Sequence, residues 1–361
     1  MPIYSNSGVE GGSGYTFQKC CIVHLIFENF NELSASNYFI CLEHHEDFLF
    51  AFLDEKGNLH NVDAYQAKKS RDDWATDKDL CEILGKISLV GNELLNDSHP
   101  KSENYSHTLS FLTNKNISLT SKKAKKGEKT ERVKVQISNK IIDYTTLHDD
   151  IKSNINSHLI DNNNVSLEQL EFLNLKFIDF PQAHSGWIDK LVGMSTRIFG
   201  KRLNDHKAAI DSLVTLLTGS ELTYNNNNIV SLTDKKKQVQ KNDIDDAFDI
   251  LFSNKKAFNF WREYSDSLSK NLRIKLPIKR KAKEHLYNCF DYFKDINEIE
   301  YRKIFKFVEE RSDIDDNHID EVDCIVELYN TYLANHQTRL EKHMIAFAII
   351  AAYVETRIMD V

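Results

Sequence analysis

A change of periodicity near residue 220 constrains this chain more than any other feature. Before it, stretches rich in aromatic and β-branched residues, such as "NYFICLEHHEDFLFAFLD" (37–54), alternate with amphipathic ones. Then comes "TYNNNNIVSLTDKKKQVQKND" (223–243), an asparagine run followed by a lysine run. Beyond it, "DIDDAFDILFSNKKAFNFWREYSDSL", "KAKEHLYNCFDYF", "EIEYRKIFKFVEE", "HIDEVDCIVELYNTYLANHQ" and "RLEKHMIAFAIIAAYVETRI" all repeat their apolar residues at helical spacing. A period of two and a period near 3.6 need different packing partners. The pattern predicts an α/β domain over residues 1–220, an exposed polar linker over 221–241 and an all-α domain over 242–361.

Within the first domain, "GVEGGSG" (8–14) has no strand before it and no GK[ST] after it, so it is not a phosphate loop. Its glycines are expected to form a tight turn before a buried helix carrying Phe17, Cys20, Cys21, His24, Leu25 and Phe27. Two strands follow, 37–54 and "NLHNVDAYQAKK" (58–69), joined by a "DEKG" turn. "LCEILGKISLVGNELL" (80–95) reads as a helix and "HTLSFLTNKNISL" (107–119) as strand. "SKKAKKGEKTERVKVQI" (121–137) reads as a lysine-rich loop entering another strand.

Composition removes several function classes. The formal charge of −8 gives no global attraction to nucleic acid, so DNA binding must rest on local basic surface. Two segments qualify: 120–134, with Lys122, Lys123, Lys125 and Lys126, and 270–283. The six cysteines show no CxxC pair and no zinc spacing, which suits reduced core residues of a cytoplasmic protein. The first residues lack the basic start and apolar run of a signal peptide. "MIAFAIIAAYV" (344–354) is far shorter than the roughly 20 residues that span a bilayer, so it reads as a buried helix and no membrane association is expected.

The hairpin carries the chemistry. With its turn centred on Glu55–Lys56, Asp47 falls opposite Ala64 or Tyr65, one step from Gln66. Gln66 and Lys68 share a strand face. Glu43, on the strand of Asp47 and about 13 Å from it at 3.3 Å per residue, falls near Lys68. A hard divalent ion, Mg2+ or Mn2+, takes oxygen ligands of the kind Asp47 and Gln66 offer. Such an ion activates water beside a phosphodiester, and a lysine on the same face stabilises the developing charge. His44 and His45 point to opposite faces, so they do not make a zinc site.

The segments "GYTFQ" (14–18), "LEHHEDFLF" (42–50), "YQAKKS…W" (65–74) and "FLTN" (111–114), in this order, resemble the double-stranded-DNA endonuclease domain of bacterial anti-phage effectors. That domain belongs to the PD-(D/E)xK superfamily. It is found in CBASS effectors bearing a SAVED sensor and in the nuclease subunit of Lamassu-type systems. The resemblance covers roughly residues 8–190 and implies a restriction-endonuclease-like α/β fold. It places Asp47 at the metal-binding acid, Gln66 at the acid-or-Gln position and Lys68 at the catalytic lysine, with Glu43 and Gln18 on further motif positions. Glu43 joins the catalytic set as a second-tier candidate, and Gln18 and Lys69 are supporting candidates. Gln66 leaves one carboxylate fewer than the standard pattern. Because a SAVED sensor needs strands and residues 242–361 read as helical, the Lamassu-type subunit is the better match. It implies an SMC-like ATPase partner and a small accessory subunit, and because a single site on one chain cuts only one strand, an active dimer or tetramer is expected. Two other readings follow from the residues: a catalytically weak DNA-binding scaffold, suggested by Gln66 and the net charge, and a cyclic-oligonucleotide-triggered nuclease, which requires a strand-rich C-terminal region.

Overall fold

The computed structural model describes residues 7–44, 46–122, 130–159, 165–203, 205–221 and 231–357. They form two compact units: Met1–Gly200 with Asp205–Ile244, and Lys201–Asn204 with Asp245–Val361.

The first unit opens with α1 (Ser7–Glu28) and α2 (Phe30–Ala35), followed by β1 (Tyr38–His44), β2 (Glu46–Leu53), β3 (Leu59–Lys68) and the short β4 (Trp74–Ala75). Next come α3 (Lys78–Asn96), β5 (Lys101–Thr113), β6 (Ile117–Thr120), β7 (Arg132–Val135) and β8 (Ile141–Asp143). The unit continues with α4 (Asp149–Leu159), β9 (Leu173–Phe177), α5 (His184–Phe199), α6 (His206–Glu221) and β10 (Gln238–Gln240). The main sheet has the order β10-β1-β2-β3-β5-β9-β8, and β4-β6-β7 form a small second sheet. β3, β5 and β9 run parallel, while the β1–β2 and β2–β3 pairs are antiparallel.

Each face of the main sheet has its own helices. α3 starts at Asp77, whose carboxylate caps the Leu80 N–H at 3.0 Å. Its stripe Leu80, Leu84, Ile87 and Leu94 packs in one core with Leu49, Ala51, Val62, Ala64, Leu109 and Phe111 of the sheet. On the other face, Leu25 of α1 and Asn29, between α1 and α2, line a cavity with Phe50, Phe52 and Tyr65. There Phe48 stacks on Tyr65 with centroids 5.0 Å apart, and Phe17 of α1 meets Trp187 of α5 edge-on at 5.2 Å.

Three sequence expectations change. The apolar stretch 37–54 is two strands: the chain reverses between His44 and Glu46, which pair across the hairpin, and Glu43 takes a φ of +50° there. Alternation alone did not show this, because the strand signal resumes at once on the far side of the polar "EHHE". α1 begins at Ser7, so the whole glycine run lies in helix rather than in a turn. In the segment read as linker, β10 adds to the sheet edge, pairing Phe39 with Gln240 and Cys41 with Gln238.

The described residues of the second unit are helical. α7 (Lys241–Asn271) enters it, and α8 (Leu276–Lys279), α9 (Ala282–Lys294), α10 (Ile299–Glu310), α11 (Glu321–Asn335) and α12 (Lys342–Arg357) follow. Every residue of α12 from Ile345 to Val354 is buried. A helix that is apolar all round must lie inside its unit, and α9, α10 and α11 pack on it. Trp261 and Phe347 approach to 5.2 Å in that core. The chain therefore has a mixed α/β N-terminal region followed by an all-α C-terminal one, as its periodicity predicts. Among the described residues no helix is long and apolar enough to cross a membrane.

Candidate active site

The β2–β3 turn sets the register on which the site depends. Asp54 accepts the N–H groups of Lys56 and Asn58 at 2.9 and 2.8 Å, and Gly57 supplies a φ of +81°. The turn thus spans Asp54 to Asn58, and the ladder shifts by one residue at Phe52/Leu53. Phe48 then pairs with Tyr65, and the next step places Asp47 opposite Gln66. This corrects the expected partner, Ala64 or Tyr65, because the irregularity beside the turn moves the register.

Asp47 lies at the start of β2, and its carboxylate is buried. Its Oδ2 accepts the N–H of Ala67 at 2.8 Å. The Lys68 Nζ stands 3.6 Å from its Oδ1. A buried carboxylate without partners would be costly, so one peptide dipole and one ammonium compensate it here. Gln66 is buried and Lys68 is half-buried, its side chain 39 % exposed. β5 steadies this strand from the other side, with Phe111 beside Gln66 and Thr113 beside Lys68. Trp74 secures those two residues: its ring packs edge-on against Phe111, and its Nε1 donates to Thr113 Oγ1 at 2.9 Å. By the strand alternation, Asp47, Gln66 and Lys68 sit at the end of the sheet face whose interior α3 fills.

The supporting positions fall differently. Glu43 is on β1, not on the strand of Asp47. Leu42 pairs with Phe48 and His44 with Glu46, so Glu43 stands across from Asp47 rather than 13 Å along one strand near Lys68. It is exposed. Gln18 is buried on α1, and its Oε1 accepts no hydrogen bond from the described residues. Lys69 is exposed just past β3 and lines a cleft with Ser70, Arg71, Asn114 and Gln182. Lys122 is exposed after β6, whereas Lys123, Lys125 and Lys126 lie outside the described residues, as does His45. Sequence reasoning missed the Ala67 N–H, since a peptide group leaves no residue signature. It also passed over Asn114, although that residue ends the "FLTN" segment.

Cysteine chemistry is excluded. Burial is the main cause that raises the thiols of Cys20 and Cys81 to about 12 and those of Cys21, Cys41, Cys289 and Cys324 above their ordinary range. The negative charge of Asp47 adds to the rise at Cys21. None of them is a ready thiolate nucleophile.

The oxygen donors suit a hard divalent ion in kind, with one carboxylate at Asp47 and one carboxamide at Gln66. They are few, and among the described residues no group of three His, Cys, Asp or Glu side chains gathers to hold a metal. That count matches an ion of the magnesium type, which keeps several waters and takes its other ligands from substrate phosphate. The Gln18 Oε1, without a partner among the described residues, is a further buried oxygen, but α1 packs on the opposite face of the sheet.

Residues 6–220 match the family model of the Cap4 dsDNA endonuclease domain. No curated protein and no solved structure matches the chain. The family match takes in α1, the main sheet up to β9 and the Asp47–Gln66–Lys68 corner, and it spans more than half of the chain. The protein therefore belongs to the Cap4 dsDNA endonuclease family and is a DNA endonuclease of anti-phage defence.

Proposed function

We propose that this chain is a metal-dependent double-stranded-DNA endonuclease of the PD-(D/E)xK type, with Asp47, Gln66 and Lys68 as its catalytic set and Glu43 in support. One observation carries the assignment: Asp47, across the ladder from Gln66, is fixed by the Ala67 N–H and faces the Lys68 ammonium. The Asp47 carboxylate and the Gln66 carboxamide oxygen would hold Mg2+ or Mn2+. When bound, such an ion lowers the pKa of a water and neutralises phosphate charge. Lys68 donates to the attacking water or to a phosphate oxygen and offsets charge as it develops. Ala67 keeps Asp47 from rotating away, and Lys122 contributes to binding the DNA backbone.

The all-α unit supports a Lamassu-type effector over a cyclic-oligonucleotide sensor, since it offers helices where a SAVED domain needs strands. In this reading residues 1–220 cut and residues 242–361 dock an SMC-like ATPase and a small accessory subunit. Release from that complex, followed by assembly into a dimer or tetramer, activates cleavage in the cytoplasm.

Incubating the purified chain with supercoiled plasmid and Mg2+ or Mn2+, with and without a chelator, tests the chemistry. Metal-dependent linearisation that Lys68→Ala abolishes is the expected result. No cleavage at any protein concentration would instead favour a DNA-binding scaffold.

A further inference from the structure

Three parallel strands of the main sheet end side by side: β3 at Lys68, β5 at Thr113 and β9 at Phe177. The segments that follow them meet in one cleft of about 660 Å³, lined by Lys69, Ser70 and Arg71 after β3, Asn114 after β5 and Gln182 after β9. In open α/β sheets the carboxyl ends of parallel strands are where ligands collect, because loops diverge there. Among the described residues the lining holds two cationic side chains, two carboxamides and a serine. Its chemistry is that of an anion site rather than a cation site.

Hydrogen bonds show that the cleft is built rather than incidental. The Gln182 Nε2 donates to the Ser70 carbonyl at 2.8 Å, and the Asn114 Oδ1 accepts the Ser70 N–H at 3.3 Å. The peptide two residues beyond Lys68 is thereby held from β5 and from the segment after β9. Holding it uses the Asn114 oxygen and leaves the nitrogen. Asn114 is 6 % exposed, and its Nδ2 donates to no group among the described residues. Buried donors are nearly always paired, so one left open at the wall of a cationic cleft points to an acceptor that arrives with a ligand.

We propose that this cleft is a phosphate subsite that seats a DNA backbone phosphate next to the one being cut, with the Asn114 Nδ2 as its buried donor and Lys69 and Arg71 as its cations. The proposal rests on the reading of Asp47, Gln66 and Lys68 as the cutting site. It explains what the cleft adds to them: a second grip one or two residues past Lys68, which fixes the strand while the neighbouring phosphodiester is attacked.

The test uses the full-length chain and a short fluorescent duplex, with binding measured in EDTA over a range of salt and cleavage measured separately. Asn114→Asp keeps the oxygen that holds Ser70 but removes the donor and adds a negative charge. It should raise Kd about tenfold or more. Arg71→Ala and Lys69→Ala, both at exposed positions, should each weaken binding and lower the salt slope by about one phosphate contact. In cleavage, all three should raise KM while changing kcat much less. Lys68→Ala should do the reverse, keeping Kd and losing the cut. Thermal unfolding confirms that each variant is folded. If the two exposed variants bind the duplex as tightly as the wild-type chain, with the same salt slope, the subsite does not exist and Asn114 is filled by water. If they lose binding while Lys68→Ala still cuts, the cleft stands and the catalytic assignment falls.

Discussion

The peptide N–H of Ala67 donates to the Oδ2 of Asp47 at 2.8 Å, so the strand that carries Gln66 and Lys68 also orients the carboxylate opposite them. The carboxylate proposed to bind metal and the lysine proposed to act in catalysis are thus positioned by one backbone, and a single shift of the β2–β3 register would separate them. The turn chemistry at Asp54 and Gly57, far along the hairpin, is what prevents that shift.

Substitutions at the pair separate chemistry from folding. Lys68→Ala should lower cleavage by about 10²–10³-fold and change stability by no more than about 0.5 kcal/mol, because the side chain is partly solvated. Asp47→Asn should lose cleavage comparably and stay folded. Asp47→Ala should lose cleavage and also about 1–3 kcal/mol of stability, since the Ala67 N–H is left without its acceptor. Plasmid cleavage and urea midpoints measure both. Wild-type cutting by Lys68→Ala and Asp47→Asn together would remove these residues from the mechanism.

Glu43 is strained as well as acidic. Its φ of +50° suits glycine, and side chains held there cost roughly 1 kcal/mol or more. Glu43→Gly should therefore raise the urea midpoint by about 1 kcal/mol of stability, and Glu43→Ala should not. Cleavage should fall in both if the carboxylate acts at the site. Full activity in both variants would leave Glu43 as a turn residue only.

How much of this was legible depended on whether the signal was local. The helical half follows from apolar spacing, since α12 needs only its own residues to declare itself buried. That Asp47, Gln66 and Lys68 come together was legible because strand alternation and the order of the motifs are properties of short segments. The reversal at His44–Glu46 was not legible: both sides read as strand, and the left-handed Glu43 that turns the chain carries no glycine to mark it. β10 was hidden for the opposite reason. Three residues flanked by lysines look like linker until β1 supplies the hydrogen-bonding edge. The cleft beyond β3, β5 and β9 depends on three segments far apart in the chain, which no local pattern brings together.

His24 gives the fold a pH dependence of known sign. Burial foremost, with the nearby charges of Lys190 and Lys140, lowers its imidazole to about 4 from an ordinary 6.5. Between those values the unfolded chain binds a proton that the folded chain refuses. Stability from this group is therefore complete above about pH 6.5 and is lost as pH falls toward 4, by up to about 3 kcal/mol. Urea midpoints measured from pH 4 to 7 should climb more steeply for the wild-type chain than for His24→Gln. Parallel curves would mean that His24 is charged in the folded protein.

Assembly is the last expectation. One site cuts one strand, so a double-strand break is simplest when two nuclease domains act on the same duplex. Linearisation of plasmid should then rise more steeply than the first power of protein concentration, while nicking rises in proportion to it. If the all-α unit drives that assembly, a chain ending after Ile244 should keep the nuclease fold and lose the steep dependence. The end point matters: stopping at residue 235 would also remove β10 from the edge of β1 and confuse assembly with damage to the sheet. Circular dichroism and sedimentation of the shortened chain report its fold and its state. Should a strictly monomeric form linearise plasmid as fast as the full-length chain at every concentration, the helical unit has some other task.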